Sequence, residues 1–336
     1  MVDLLESVSS LAAERGFSGV VRVDRGPDTE IEAAFGLAER GYGIPHTVDT
    51  QLAIASGVKP LTALVVVSLI EEGLLSLGTL VRELLGTDLP LIDSAVSVEH
   101  LLAHRSGIGD YVDEDEDLDD NDYLMPVSVH RLVTTQDYLS VLEGHPQKFT
   151  PGERFSYCNS GYVVLALLAE RASGQGFPEL VQQRVCAPAG MADTAFLRSD
   201  ELPARAARGY LHPEGLRTNV LHLPVRGSGD GGIYTTVADV HALWRALQEG
   251  RVVSRQWYAQ MTRPRSEVPA ESARYGLGFW LHESGDGVGF VGMDAGVSCR
   301  SVRDAAAGVT HTVLANTSGG AWALSRHLDK QLLGQT

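Results

Sequence analysis

Apolar and polar positions along the chain divide it into two strand-rich ends and a helical middle. "LLESVSSLAAER" carries apolar residues at helical spacing. "GVVRVD" and "EIEAAFGLAE" then read as two strands around a "RGPDT" turn. "SGVKPLTALVVVSLIEEGLLSL" is apolar almost throughout and predicts a buried helix ending near Gly73. Pro60 belongs in its first turn, where a missing N–H costs little, but proline disfavours helical geometry at Lys59 and leaves the helix start open. "SVEHLLAHRSG" predicts a short helix stopped by Gly107, and "SGYVVLALLAERASG" and "TTVADVHALWRALQEG" predict two more. In the tail, "RYGLGFWLHE", "GVGFVG", "GVSCRSVRD" and "VTHTVLANTS" read as consecutive strands, and "AWALSRHLDKQLL" as a closing helix.

This arrangement predicts the α+β class. A mostly antiparallel sheet is built from both termini and flanked by helices, with an all-helical lobe inserted between its two parts. The expected division is 1–55 with 268–336 as the α/β lobe and 56–267 as the mainly helical lobe, with the active site at their junction.

Composition narrows the function. The 336 residues are 44% apolar and 21% charged, which suits a globular protein with a large core. A net charge of −16 argues against nucleic acid and anionic membrane as partners, because both need a basic footprint. The longest apolar run, "LTALVVVSLI", is too short to span a bilayer. Cys158, Cys186 and Cys299 form no CxxC pair and fit a reducing compartment. The N-terminus lacks a basic start and an apolar h-region, so a cytoplasmic protein is expected, unless an exported precursor was trimmed. Residues 113–122, "DEDEDLDDND", read as a solvated loop, since calcium-loop spacing is incomplete.

Ser56 and Lys59 are three residues apart, a spacing that shares one helix face. The chain has only three lysines, and this one precedes an apolar helix, where burial would make its amine a useful base. Ser56 is then a candidate nucleophile; a helix-start serine beside a solvated lysine is the plainer alternative. Tyr157 and Asn159, two apart on a loop before a helix, would point the same way. A phenol can relay a proton and an amide can hold both an amine and a carbonyl; a packed tyrosine with Asn159 as a helix cap is the alternative. His100 and His104 have metal-like spacing but no evident third ligand, so packing or capping is expected and no metal or cofactor is assigned. Asp110 and Tyr111 are candidates to border the cleft.

"IASGVKPLTAL", "LLAHRSGIGDY", "PGERFSYCNSGYVVLALLAE", "GDGGIYTTVADVHALW" and "YGLGFWL" occur in an order and spacing that resemble a known family. The chain resembles the serine β-lactamase and penicillin-recognising group, particularly its class C-like branch. That branch also holds D-alanyl-D-alanine carboxypeptidases, D-aminopeptidases and small-ester hydrolases. The resemblance implies a β-lactamase/transpeptidase-like fold and a covalent acyl-enzyme on Ser56, with Lys59 and Tyr157 moving protons. Asn159 would orient Lys59 and substrate, and the Ser56 and Met293 N–H groups would form the oxyanion hole. The third motif of the branch has His or Lys, any residue, then Gly; here the best register is Phe290-Val291-Gly292. His282 is nearby but precedes the turn and does not fit. Gly292 would let substrate approach the strand closely. Phenylalanine cannot hold a substrate carboxylate; Arg300 would replace the cation if it faces the site, and a simple strand ion pair is its plainer role. Asp294 would tune substrate choice or cap the "MDAG" turn. The expected substrate is therefore a small molecule or short peptide with an ester or amide bond. A β-lactam, a D-alanyl peptide or a D-aminopeptidase substrate is the alternative, and a non-catalytic binding protein on this fold is the second.

Overall fold

Residues 3–113 and 123–334 are described by the structure, a computed structural model. The expected acidic loop therefore lies outside the described residues, apart from Asp113, whose carboxylate pairs with Lys148 Nζ at 2.5 Å.

Eight antiparallel strands form the central sheet. Helix α1 (Leu4–Arg15), capped by the Asp3 side chain and ended by left-handed Gly16, leads into β1 (Gly19–Arg25) and β2 (Asp28–Phe35). The remaining strands come from the tail: β3 (Ser266–Val268), β4 (Ala273–Tyr275), β5 (Trp280–His282), β6 (Gly287–Asp294), β7 (Val297–Asp304) and β8 (Val309–Ala315). Their order across the sheet is β2-β1-β8-β7-β6-β5-β4-β3. Strand β1 pairs with β8 in the register Gly19↔Ala315 to Arg25↔Val309, so the two ends of the chain close one sheet.

Both faces of the sheet are covered, which explains why β1 and β8 are buried along nearly their whole length, polar residues included. On one face, α1 and α6 (Ala321–Leu328) bury Val8, Ala12, Leu324 and Leu328 against Val21, Val23 and Val313. On the other lies α5 (Val237–Glu249), whose Trp244 Nε1 donates to Ser301 Oγ at 2.8 Å. Beyond it, α2 (Lys59–Glu71) packs against α4 (Asn159–Ser173). Residues 61–69 of α2 are all buried, as its nearly all-apolar sequence predicts. Among the described residues no helix is long and apolar enough to cross a membrane.

Three local expectations differ from what forms. The short helix α3 (Val98–Leu102) ends at Ala103 rather than running to Gly107, because His104 takes the left-handed conformation at φ 52°. "RYGLGFWLHE" is two strands, β4 and β5, since Gly278 at φ 87° turns the chain where a Cβ would lie 2.4 Å from Ala63 Cβ. "EIEAAFGLAE" is interrupted at Gly36, φ 71°, and resumes as the separate short strand Leu37–Glu39.

Candidate active site

The Ser56 turn is a 3₁₀ turn, Ala55–Val58, leading directly into α2. Pro60 falls in the first turn of that helix, where no N–H is needed. Ala55 is left-handed at φ 44°, an uncommon conformation for a residue with a Cβ, and it sets the path of the turn. Strand β6 packs against this turn. A Cβ on Gly292 would lie 2.1 Å from Ile54 O and 2.7 Å from Gly57 N, so glycine is required here. Its close approach is thus to the Ser56 turn itself, a different neighbour from the substrate expected at that position. Strand β5 pairs with β6 only at Val288 and Gly289, which leaves the Met293 end of β6 clear of that neighbour. Met293 is 47% exposed.

Lys59 is 2% exposed. Its Nζ donates to Ser56 Oγ at 2.8 Å, to Asn159 Oδ1 at 2.8 Å and to the Asp230 carbonyl at 2.9 Å. It also lies 4.8 Å from the centre of the Tyr157 ring. The fold thus brings Ser56, Lys59, Tyr157 and Asn159 together from two segments about a hundred residues apart. A hydroxyl bonded to a buried amine, with a phenol beside it, is the pairing that covalent acyl transfer uses.

Asn159 is the first residue of α4, and it does not cap its own helix. Asp110 does so from a separate loop. Its Oδ2 accepts from Asn159 N at 2.6 Å, and its Oδ1 accepts from Ser160 N at 2.8 Å and Ser160 Oγ at 2.9 Å. The Asn159 amide instead bridges, accepting from Lys59 and donating through Nδ2 to Val112 O at 3.1 Å. Tyr157 is held by His104 on both sides. Ser156 N donates to His104 O at 2.9 Å, Cys158 N donates to His104 Nδ1 at 3.1 Å, and the two rings lie 4.3 Å apart. Trp280 stacks against Tyr157 at 6.2 Å. His100 forms a reciprocal cap with Ser97. Both histidines thus pack or cap, as expected, and no metal-binding group of three or more His, Cys, Asp or Glu occurs among the described residues.

Two sequence candidates lie elsewhere. Phe290 is 2% exposed and stacks on Trp244 at 5.8 Å, so its side chain belongs to the core and offers no surface to a ligand. Arg300 is paired with Asp329, which also accepts from His311 Nε2, under the C-terminal helix; it does not replace the missing cation. Asp294 accepts from Ala295 N at 2.8 Å and also lines a cavity beside the Ser56 turn.

Asp230 was not singled out in the sequence. The "GSGDGG" loop carries it against α2 and α4: a Cβ on Gly229 would lie 2.2 Å from Tyr162 O, and Thr62 Oγ1 donates to Gly229 O at 2.6 Å. Its carboxylate accepts from the Tyr111 hydroxyl. Burial pushes the Asp110 and Asp230 carboxyls up, while the nearby Lys59 charge pulls both down. The glycines around Asp230 were the only local sign that its loop passes close to other backbone.

The β-lactamase family description matches residues 6–335. A penicillin-binding protein from Bacillus halodurans has a similar structure, with a TM-score of 0.90, 32% identity and coverage of 96% of this chain and 99% of that one. A penicillin-binding protein of Bacillus subtilis is 28% identical over 82% of this chain and 62% of its own. A D-aminopeptidase of Brucella anthropi is 27% identical over 95% of this chain and 60% of its own. Esterase EstB of Burkholderia gladioli is 28% identical over 80% of this chain and 76% of its own. The chain spans roughly three-fifths to two-thirds of the length of the first three curated relatives it matches. A family match over nearly every residue, with an antiparallel sheet closed by both termini and a serine–lysine helix at its edge, places this chain in the β-lactamase family.

Proposed function

We propose that the protein is a serine hydrolase that cleaves an ester or amide of a small molecule or short peptide through a covalent acyl-enzyme. The observation that carries this reading is the buried Lys59 Nζ, within hydrogen-bond distance of both Ser56 Oγ and Asn159 Oδ1. In acylation, Ser56 Oγ forms a bond to the substrate carbonyl carbon and gives its proton to the Lys59–Tyr157 pair. Tyr157 delivers a proton to the leaving group as the bond to it breaks. In deacylation the same pair takes a proton from water, which attacks the acyl carbon and releases Ser56. The Ser56 and Met293 N–H groups stabilise the oxyanion, an interaction worth about 2.7–4 kcal/mol per donor in other enzymes. Asn159 fixes Lys59 and meets the substrate amide or carbonyl.

The absence of a side-chain cation at the third motif separates this site from one built for a substrate carboxylate. Phe290 is in the core and Arg300 is occupied by Asp329. The similarity to esterase EstB supports an ester reading, and the similarity to the D-aminopeptidase supports an amide one. Hydrolysis of p-nitrophenyl butyrate by the wild type and by Ser56→Ala tests the proposal. The variant should lose at least about 10³-fold in kcat/KM. Wild-type rates in the variant would reject Ser56 as nucleophile.

A further inference from the structure

Three consecutive residues reach three parts of the proposed site. Asp110 accepts from the Asn159 and Ser160 N–H groups at the start of α4. Val112 O accepts from the Asn159 side chain at 3.1 Å. Between them, the Tyr111 hydroxyl donates to Asp230 Oδ2, and the Asp230 carbonyl accepts from Lys59 Nζ at 2.9 Å. The first and third contacts act on Asn159 directly. The second reaches Lys59 through an intervening residue.

Asp230 lies in "GSGDGG", between Gly229 and Gly231. Glycine takes up many backbone conformations and loses that freedom on folding, so this loop has little intrinsic preference for one path. Thr62 Oγ1 donates to Gly229 O at 2.6 Å, and Ser228 N donates to Gly231 O at 3.0 Å. Those two bonds fix the residues around Asp230 but not its side chain. Tyr111 holds the side chain, and its own backbone is held in turn. Tyr111 N donates to Ser160 Oγ at 3.1 Å, and Tyr111 O accepts from the Tyr123 hydroxyl at 2.8 Å. Burial and the Asp230 charge beside it hold the Tyr111 phenol well above its ordinary range, so the hydroxyl keeps the proton it donates. A hydroxyl bonded to a buried carboxylate makes one of the stronger hydrogen bonds.

We propose that Tyr111 is a positioning residue for Lys59 and acts through Asp230. The inference rests on the hydrolase reading and deepens it. The Tyr111 hydroxyl holds the Asp230 side chain, and the main-chain carbonyl of the same residue meets Lys59 Nζ. That carbonyl is one of three groups that fix Nζ, with Ser56 Oγ and Asn159 Oδ1. Once the loop shifts, Nζ is held from two directions instead of three and moves off the line to Ser56 Oγ. Proton transfer depends steeply on such alignment, and a displacement of about 1 Å can cost about 10²-fold in rate.

The test is a set of four variants hydrolysing p-nitrophenyl butyrate. Each kcat is read at the plateau of that variant's pH profile, which sets aside changes of charge near Lys59, and is divided by the fraction of Ser56 that a fluorophosphonate labels at completion. Tyr111→Phe removes one oxygen and keeps the ring; its kcat should fall about tenfold or more. Asp230→Ala should fall similarly. Asp230→Asn keeps an acceptor for the hydroxyl and should stay within about threefold of wild type. Tyr111→Phe added to Asp230→Ala should lower kcat no further, because the two residues act as one unit. A Tyr111→Phe rate within about twofold of wild type overturns the inference. A further large loss in the double variant overturns it by showing that Tyr111 acts independently of Asp230. Asp230→Asn falling as low as Asp230→Ala overturns it by placing the effect in the carboxylate charge. Should Asp230→Ala fail to fold, Tyr111→Phe and Asp230→Asn against wild type decide the matter. In each of these outcomes Ser56 is still labelled and the hydrolase reading stands. A wild type with neither labelling nor turnover overturns both.

Discussion

Lys59 Nζ makes three hydrogen bonds, with a hydroxyl, an amide oxygen and a carbonyl on three different elements. Lys59→Met keeps the length of the side chain but leaves those acceptors without a donor. Steady-state kinetics with a p-nitrophenyl ester should show kcat falling by about 10²–10⁴-fold, the usual range for losing a proton-transfer group. A kcat within threefold of wild type would remove Lys59 from the chemistry. His104 is a positioning residue for Tyr157, gripping the residues before and after it and lying against its ring. His104→Asn retains an acceptor near Nδ1 and tolerates the left-handed backbone; His104→Ala retains neither. Rates normalised to labelled Ser56 should therefore fall in the order wild type, Asn, Ala. Equal normalised rates, with only melting temperature changed, would make His104 a packing residue alone. The serine and lysine were legible in the sequence because both belong to one helical turn. The partner carbonyl of Asp230 was not, because it arrives from 171 positions away. The inward direction of Phe290 was also hidden, since a strand pattern gives alternation but not which face the core takes.

The elements that carry these residues depend on close backbone approach. Strand β6 reaches the Ser56 turn only because Gly292 lacks a Cβ, and the Asp230 loop passes α4 only because Gly229 does. Gly292→Ala should force the strand and the turn apart, since both nearest groups are backbone atoms. Its measured outcome should be loss of esterase activity of about 10²-fold or more, as expected for misaligned reacting groups. Activity within twofold of wild type would show that the strand tolerates the shift. Helix α4 depends on Asp110 in a similar way. Asp110→Ala removes the acceptors for two helix N–H groups and should cost about 1–2 kcal/mol by denaturant titration. The helices and tail strands were readable from period and glycine punctuation. The breaks at His104 and Gly278 were not, because each is imposed by a tertiary neighbour: the Tyr157 segment for one and α2 for the other.

Across the whole molecule, the sheet draws its strands from both ends of the chain, and several histidines are buried within or beside it. Burial holds His46 and His241 down at about 4, with the Asp24 contact to His241 at 2.7 Å unable to offset it. A histidine kept neutral in the fold takes up its proton in the unfolded chain first. Stability from it is therefore full above about pH 6.5 and is lost as pH falls towards 4, at up to about 1.4 kcal/mol per pH unit. The raised carboxyls Asp110, Asp230 and Asp239 act with the opposite sign, favouring the fold at low pH and losing that contribution as pH rises. Replacing one histidine isolates its share. His241→Asn should flatten the stability profile between pH 6.5 and 4 relative to wild type, measured by urea titration at each pH. Identical slopes would show that His241 titrates alike in both states.

The central claim is that Ser56 becomes covalently acylated with Lys59 and Tyr157 as its proton partners. Its most direct measurement is peptide-mapped mass spectrometry of protein quenched during turnover of a p-nitrophenyl ester. The account predicts a mass increase equal to the acyl group on the peptide that contains Ser56, absent in Ser56→Ala. An adduct on any other residue, or turnover with no adduct under burst conditions, would contradict it.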